Sequence, residues 1–174
     1  LRRRDRRVRE QARTELSRRV SDAVRRAAPG DADLLARHRA SVWHEVGDHS
    51  LESMKAQVPI WSAWFRDALA DGTYVSYIVE RDGEAIASGS LLVHVAIPRP
   101  GSPSDREGRV QSVYVVPHAR RGGIARLLMA EIMEYARAAM LIRLTLHPSD
   151  EARPLYAALG FEDLDEMGLR LTAE

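Results

Sequence analysis

Residues 111–129 read QSVYVVPHARRGGIARLLM, and this stretch decides how the rest of the chain is arranged. Residues 110–116 are rich in β-branched and aromatic side chains, which predicts a strand. Pro117 ends that strand because proline cannot donate a hydrogen bond to a sheet. Apolar side chains then recur at spacings of three and four, which predicts an amphipathic helix. These side chains are Ile124, Leu127, Leu128, Ile132 and Ala136.

The join between this strand and this helix is suited to an anion. The first backbone N–H groups of a helix have no acceptor inside the helix, and the helix dipole is positive there. Gly122 and Gly123 let the chain turn tightly and leave room for a phosphate group. The side chains of Arg120, Arg121 and Arg126 add positive charge nearby. Two common nucleotide-binding patterns, GxxxxGK[ST] and GxGxxG, are absent.

The sequence RRGGIA at residues 120–125 resembles the acetyl-CoA-binding motif of the GCN5-related N-acetyltransferases, the GNAT family. That motif is arginine or glutamine, two residues, glycine, one residue, then glycine or alanine. The resemblance includes the preceding VVP and the helix that follows. It implies acetyl-CoA as cosubstrate, with its pyrophosphate bound by Arg120, Arg121, Gly122, Gly123, Ile124, Ala125 and Arg126. The alternative is an ordinary surface turn, in which the arginines are only exposed to solvent.

Composition narrows the class of protein. A chain of 174 residues with 45% hydrophobic residues predicts a globular protein with a real core. No apolar run approaches the roughly 20 residues of a membrane helix, and no signal-peptide pattern is seen, so we expect a cytoplasmic protein without a membrane partner. Because cysteine is absent, acyl transfer is expected to go directly from donor to acceptor in a ternary complex.

The arginines are concentrated at the start of the chain. Residues 1–26 carry 11 arginines and four acidic residues, a formal charge of +7, while the remainder carries −6. Apolar residues four apart predict an arginine-rich helical extension over residues 1–20, ahead of an acetyltransferase domain over residues 21–174. The extension is expected to dock on the domain or on a second copy in a homodimer. Nucleic acid is disfavoured as a partner because no aromatic residues interleave with the arginines.

The remaining patterns predict an α/β (α+β) fold in the order β-α-α-β-β-β-α-β-α-β, which is also the order of the GNAT family. The sheet is expected to be mixed and mostly antiparallel, with helices on both faces. About six strands are predicted, at residues 22–28, 73–80, 85–97, 110–116, 140–146 and 161–171. Asp82 and Gly83 predict a two-residue hairpin turn between the second and third of them. Helices are predicted at residues 35–46, from near Pro59 to residue 71, from residue 124 to about 139, and in a short segment ending at residue 159.

A second segment, PLYAALGF at residues 154–161, resembles the short family helix whose tyrosine faces the sulfur of the cofactor. This resemblance implies Tyr156 as the general acid. A phenol has a pKa of about 10 and is protonated at neutral pH, so it can give a proton to a leaving thiolate. The alternative is that Tyr156 is a packed aromatic residue.

The resemblance also implies that residues 110–116 splay away from residues 140–146, which a β-bulge often produces. The pantetheine arm of the cofactor would then pair with the backbone of Val113, Tyr114 and Val115. Ser149 stands where relatives often have an asparagine bonded to that arm. Its alternative role is to cap the helix that follows.

The general base is not identified by any spacing. Some relatives place a glutamate before the tyrosine helix, but residues 141–148 read LIRLTLHP. His147 is the first candidate, and the others are Glu45, His44 and, through water, Gln111. The missing carboxylate supports an alternative function, an acyl-CoA-binding regulatory module without turnover.

The acceptor is expected to be a small-molecule or peptide primary amine, bound between the first two helices. Four aromatic residues either line this pocket or belong to the core: Trp43, Trp61, Trp64 and Phe65. No metal site is predicted, because His44, Glu45 and His49 lack the HExxH spacing.

Overall fold

The computed structural model describes residues 22–98, 100–102 and 104–169. Within them, five strands form one sheet in the order β1-β2-β3-β4-β5, antiparallel except for the parallel pair β4 and β5. The strands are β1 Ala23–Arg26, β2 Tyr74–Arg81, β3 Glu84–Val95, β4 Arg106–Val115 and β5 Leu144–Thr145. The helices are α1 Ala32–Val46, α2 Leu51–Asp71, α3 Ile124–Ala138 and α4 Arg153–Ala158. The predicted extension over residues 1–20 lies outside the described residues.

Helices cover both faces of the sheet, because successive side chains of a strand point to opposite faces. Tyr74 and Ile78 of β2 pack with side chains of α1 and α2. Val75 and Val79, each one residue further along, pack with side chains of α3. Helix α3 lies so close to the sheet that a Cβ atom at Gly89 would be 3.2 Å from Cδ1 of Ile132. The predicted mixed fold with helices on both faces is confirmed.

The hairpin between β2 and β3 forms where the sequence predicted it. Asp82 and Gly83 have φ angles of 53° and 81°, so both lie in the left-handed region that a two-residue type I′ turn requires. Glycine adopts this region freely and aspartate tolerates it, so this dipeptide fixes the register of the two strands.

Helix α2 begins earlier than predicted. It starts at Leu51 rather than near Pro59, and the Ser50 side chain caps it by accepting a hydrogen bond of 3.1 Å from the backbone N–H of Ser53. Pro59 therefore lies inside the helix. Lys55, whose carbonyl would have accepted the bond that proline cannot donate, is exposed, so water can satisfy that carbonyl.

The strand predicted over residues 140–146 is wrong in extent. Only Leu144–Thr145 is a strand. Met140 has a φ of 55°, and Leu141 donates a 2.9 Å backbone hydrogen bond to Ala136, so the preceding residues form the turn out of α3. An apolar run can serve a turn as well as a strand when its side chains pack against the end of a helix.

The last predicted strand, residues 161–171, is absent from the part of it that the structure describes, residues 161–169. Four acidic residues in the segment 162–166 leave it no alternation of apolar and polar side chains, and like charges repel. The apolar side chains that follow are not buried, since Met167 is 100% and Leu169 84% exposed. The described sheet therefore has five strands rather than about six.

None of the helices in the described part of the chain has the length and apolar content needed to cross a membrane.

Buried His38 makes the stability of the fold depend on pH. Its Nδ1 lies 2.8 Å from the Ser88 hydroxyl, and burial, with Arg37 nearby, lowers the pKa of His38 to about 4. In the unfolded chain that pKa is about 6.5, so the unfolded state binds a proton first as the pH falls. The contribution of neutral His38 to the free energy of unfolding is therefore complete above pH 6.5 and is lost as the pH falls from 6.5 to 4.

In the unmutated protein, the free energy of unfolding should fall by on the order of 3 kcal/mol as the pH is lowered from 6.5 to 4. We expect His38→Gln to remove most of this fall. Urea unfolding at pH 7.5, 6, 5 and 4.5 measures it. Arg25 and Arg81 hold the pKa of Asp31 and Asp22 below the usual value of 3.8, so those pairs lose their contribution only at lower pH. Exposed His118→Gln is the control. An unchanged slope in His38→Gln would contradict the assignment.

Candidate functional site

An open cleft of about 1030 Å³ lies between the end of β4 and helix α4. One wall is formed by Val113, Tyr114 and Val115 of β4 and by the loop and first turn of α3. The opposite wall is formed by residues 148–152 and by two side chains of α4, Leu155 and Tyr156. Helix α1 contributes Val42, Glu45 and Val46. The cleft therefore collects nearly all the residues that the sequence predicted for a cofactor site.

A β-bulge shapes the β4 wall. Ser88 pairs with Tyr114 but Ser90 pairs with Gln111, so β4 takes one residue more than β3 over the same distance. Ser112 has a φ of 51°, in the left-handed region that serine rarely adopts. The bulge bends β4 close to the point where its opposite edge, the one away from β3, loses its pairing with β5.

The other edge of β4 is open beyond its first few residues. Strand β5 pairs with β4 only at Gly108 and Arg109. From residue 111 to residue 115 the edge away from β3 has no strand partner among the described residues. Backbone N–H and C=O groups on such an edge are ready to pair with an extended ligand. The splaying that the family resemblance implied is present.

Helix α3 begins at Ile124, and the residue that caps it, Gly123, has a φ of 82°. The first backbone hydrogen bond of the helix runs from Leu127 N–H to the Gly123 carbonyl at 3.1 Å. The N–H groups of the first turn, Ile124 to Arg126, have no acceptor among the described residues. Apart from its chain neighbours, no atom lies within 4 Å of the place where a Gly123 Cβ would be, so the space beside this residue at the start of the helix is open. This is an anion-binding geometry.

The three predicted arginines are used differently. Arg120 donates from Nε to the Val115 carbonyl at 2.9 Å and from Nη2 to both Glu45 carboxylate oxygens at 2.9 and 2.6 Å. It thereby fastens the loop to α1. Arg121 and Arg126 are exposed and form no ion pair with the described residues. Gly122, which lies between Arg121 and Gly123 in this loop, is also exposed.

Tyr156 lies on α4 at the wall between the cleft and a second cavity of about 260 Å³. The residue is 8% exposed, and its ring packs edge-on against Phe161 with 5.8 Å between ring centres. Burial raises the pKa of Tyr156, so the phenol keeps its proton at neutral pH. Ser149 lines the cleft, and its hydroxyl also accepts a 3.3 Å hydrogen bond from Ala152 N–H.

The candidates for general base are spread over several places. His147 lines the smaller cavity together with Tyr156, and Glu45 lines the cleft but is paired with Arg120. His44 is exposed, with Nδ1 2.9 Å from the His49 carbonyl oxygen. Gln111 lies opposite Ser90 in the sheet, and neither it nor His44 lines either cavity. Of the four, His147 shares the smaller cavity with Tyr156, and Glu45 shares the cleft with it.

The four aromatic residues predicted for an acceptor pocket divide into two groups. Phe65 is core, 3% exposed and stacked on Tyr74 at 5.0 Å, and Trp64 packs edge-on against both. Trp43 and Trp61 instead contact Arg39, whose guanidinium lies 5.6 and 5.4 Å from their ring centres. Sequence reasoning missed Arg39. The signal was its position four residues before Trp43, which places both on one face of a helix.

Within the described residues, no three histidine, aspartate or glutamate side chains come together as metal ligands would.

Comparison with known proteins identifies the relatives of this chain. A family model for the acetyltransferase (GNAT) family matches residues 39–161. A search of curated proteins finds no match. A GCN5-related N-acetyltransferase from Ralstonia eutropha JMP134 is similar in structure, with 27% identity, a TM-score of 0.78, and coverage of 87% of this chain and 99% of that one.

Two further solved structures share the fold. A predicted acetyltransferase with acetyl-CoA from Clostridium acetobutylicum is 24% identical, with a TM-score of 0.77 and coverage of 87% and 96% of the two chains. Glucosamine-6-phosphate N-acetyltransferase from Arabidopsis thaliana is 14% identical, with a TM-score of 0.63 and coverage of 87% and 99%.

Arg120 and Glu45 form an ion pair in which each side chain is 37% exposed. We therefore expect a double-mutant cycle of Arg120→Gln and Glu45→Gln to give a coupling energy below about 1 kcal/mol that falls as salt is added. Urea unfolding at low and high ionic strength measures it. The cycle of Arg121→Gln with Glu45→Gln is the matched control and should show no coupling. Equal coupling in both cycles would refute the contact.

Proposed function

Because the chain belongs to the GNAT acetyltransferase family, we propose that it moves the acetyl group of acetyl-CoA to a primary amine by direct transfer in a ternary complex. The observation that carries the proposal is that one cleft contains three parts such a reaction needs. These are the start of α3 for a diphosphate, the open edge of β4 for an extended arm, and a protonated tyrosine.

The start of α3 supports binding of the pyrophosphate. The unpaired N–H groups of Ile124, Ala125 and Arg126 and the positive end of the helix dipole suit an anion. The unpaired guanidinium groups of Arg121 and Arg126 add charge, and Gly122 and Gly123 keep side chains out of the way. Arg120 holds the loop in place through Glu45 and the Val115 carbonyl.

The open edge of β4 supports binding of the pantetheine arm. In this proposal the amide groups of the arm pair with the backbone of Val113, Tyr114 and Val115, as an added strand would. Ser149 lies across the cleft from that edge and is the polar side chain we assign to the arm. The bulge at Ser112 directs the edge toward the interior of the cleft rather than toward β5.

Tyr156 acts as the general acid in this proposal. The amine nitrogen bonds to the thioester carbonyl carbon, the carbon–sulfur bond breaks, and the phenol of Tyr156 gives its proton to the leaving thiolate. The phenolate then takes up the proton that the nitrogen loses as it becomes an amide. The proton that the ammonium group must lose goes to His147 or to a water chain. The absence of cysteine supports direct transfer, because no acyl-cysteine can form.

The proposal also covers the location of the protein and its domain organisation. A chain without cysteine has no need of an oxidising compartment, and we propose that it acts in the cytoplasm. We assign residues 21–174 to the acetyltransferase domain and residues 1–20 to an arginine-rich extension that docks on it or on a second copy.

A second candidate function is an acyl-CoA-binding regulatory module without turnover, favoured by the lack of a carboxylate in residues 141–148.

The first test concerns coenzyme A binding. We expect Gly123→Glu to weaken the binding of coenzyme A by at least about tenfold, because the new carboxylate faces the diphosphate. Gly123→Gln is the matched control, since it has the same size and the same strain at a φ of 82° but no charge. Thermal shift and calorimetry measure both. Equal affinities in the two variants would place the diphosphate elsewhere.

The second test concerns the acid. Tyr156→Phe is expected to lower kcat by about 10²- to 10⁴-fold while the affinity for acetyl-CoA stays the same. Thiol release with a panel of primary amines measures it, and Tyr135→Phe on α3 is the control. Because burial raises the pKa of Tyr156, its deprotonation should lower the rate only at a higher pH than it would for an ordinary phenol, whose pKa is about 10. Full turnover by Tyr156→Phe would remove the assigned role, and binding without thiol release in the unmutated protein would favour the regulatory module.

A further inference from the structure

Arg39 is a half-buried guanidinium without a carboxylate partner in the described chain. Its Nη1 donates a 2.9 Å hydrogen bond to the Ser112 hydroxyl, and the rings of Trp43 and Trp61 contact its guanidinium group. The acidic side chains of α1 are engaged elsewhere, Asp33 with Arg66 and Glu45 with Arg120. A buried positive charge is costly unless an anion accompanies it.

The Tyr74 hydroxyl is a second unsatisfied group in the same place. The residue is 1% exposed, and its hydroxyl has no hydrogen-bond partner. Burial raises the pKa of Tyr74, and the nearby Ser90 and Ser112 hydroxyls and the charge of Arg39 partly oppose that rise, but neither hydroxyl lies in hydrogen-bond geometry with it. Ser90 instead accepts a hydrogen bond from Ser76, and Ser112 accepts one from Arg39. An unpaired buried hydroxyl destabilises a fold, so a ligand oxygen that accepts from it would be bound firmly.

Arg39 lies close to the cleft, whereas the Tyr74 side chain lies behind it, in the core between the sheet and helices α1 and α2. Arg39, Val42 and Val46 share one face of α1 by their spacing of three and four, and Val42 and Val46 line the cleft. Ser112, which Arg39 contacts, is the bulge residue next to Val113 and Tyr114. Arg39 and Tyr74 therefore meet at the bend of β4, on the side covered by α1 and α2.

The chemistry of the pair selects an oxyanion. A guanidinium has five N–H donors in one plane, and stacking on indole rings holds that plane in a fixed orientation. One donor is used by Ser112, and the Tyr74 phenol adds another donor that lacks an acceptor. Several convergent donors and one positive charge suit a carboxylate or phosphate group and repel a cation.

We propose that Arg39 and Tyr74 bind an oxyanion of the acceptor, so that the acceptor is a primary amine that also carries a carboxylate or a phosphate. This inference rests on the proposed function for the transfer of acetyl to that amine, but the oxyanion contact itself does not require turnover. It excludes polycationic amines as the preferred acceptors.

The experiment compares matched amines with and without the oxyanion. Phenylalanine is paired with phenethylamine, phosphoethanolamine with ethanolamine, and spermidine serves as the polycation. We expect the unmutated protein to prefer at least one oxyanion-bearing amine over its neutral partner by at least about tenfold in kcat/KM. Which pair shows the preference distinguishes carboxylate from phosphate.

Variants connect the preference to the two side chains. Arg39→Gln should abolish the preference through KM of the amine, with KM of acetyl-CoA changed by less than about twofold. Arg39→Lys keeps the charge and should retain part of the preference. Tyr74→Phe removes only a hydroxyl without a partner, so it should weaken the preference without lowering Tm. A preference for neutral amines or spermidine, or one unchanged in Arg39→Gln, overturns the inference.

A binding measurement separates this inference from the proposed function. N-acetylphenylalanine, N-acetylphenethylamine, phosphoethanolamine and ethanolamine are titrated by calorimetry into the protein with coenzyme A present. Arg39-dependent binding of an oxyanion-bearing ligand, without thiol release from any amine, refutes the transferase and upholds the oxyanion site. Turnover of amines without any dependence on Arg39 upholds the transferase and refutes the oxyanion site. Neither binding nor turnover refutes both.

Discussion

The divergence of β4 from β5 is the constraint on which the rest of the site depends. Two strands that pair only at Gly108 and Arg109 leave the following edge of β4 open, and the bulge at Ser112 bends that edge. The loop with its two glycines and the start of α3 follow directly, so the bend also sets where the free N–H groups point. A straight β4 with a full partner would leave no cleft between it and α4.

Helix α1 holds this bend from the other side of the sheet. His38 lies against the Tyr114 ring, Arg39 donates to Ser112, and Glu45 pairs with Arg120. The three residues are spaced along nearly two turns of one helix, and each touches a different part of the segment from the bulge to the loop. A residue in the left-handed region is strained, and strained backbone persists only where its surroundings fix it. The contacts from α1 supply that fixation.

Local chemistry made part of this structure predictable. The segment from β4 to α3 and the Asp82–Gly83 turn follow from residue types that act within a few positions, and both are confirmed. The start of α2 was wrong because the cap at Ser50 and solvent around Lys55 outweigh Pro59. The last strand was wrong because a strand needs a partner and a buried face, and an acidic segment offers neither. Arg39 and Tyr74 were missed because their meaning comes from contacts between distant segments.

Gly89 sets how closely helix α3 approaches the sheet behind the wall of the cleft. Because a Cβ atom at Gly89 would be only 3.2 Å from Cδ1 of Ile132, α3 packs closely against the backbone of β3. Any side chain there would have to displace Ile132, which lies about two turns along α3 from the free N–H donors at its beginning. The separation between α3 and β3 therefore depends on the absence of a side chain at this one position.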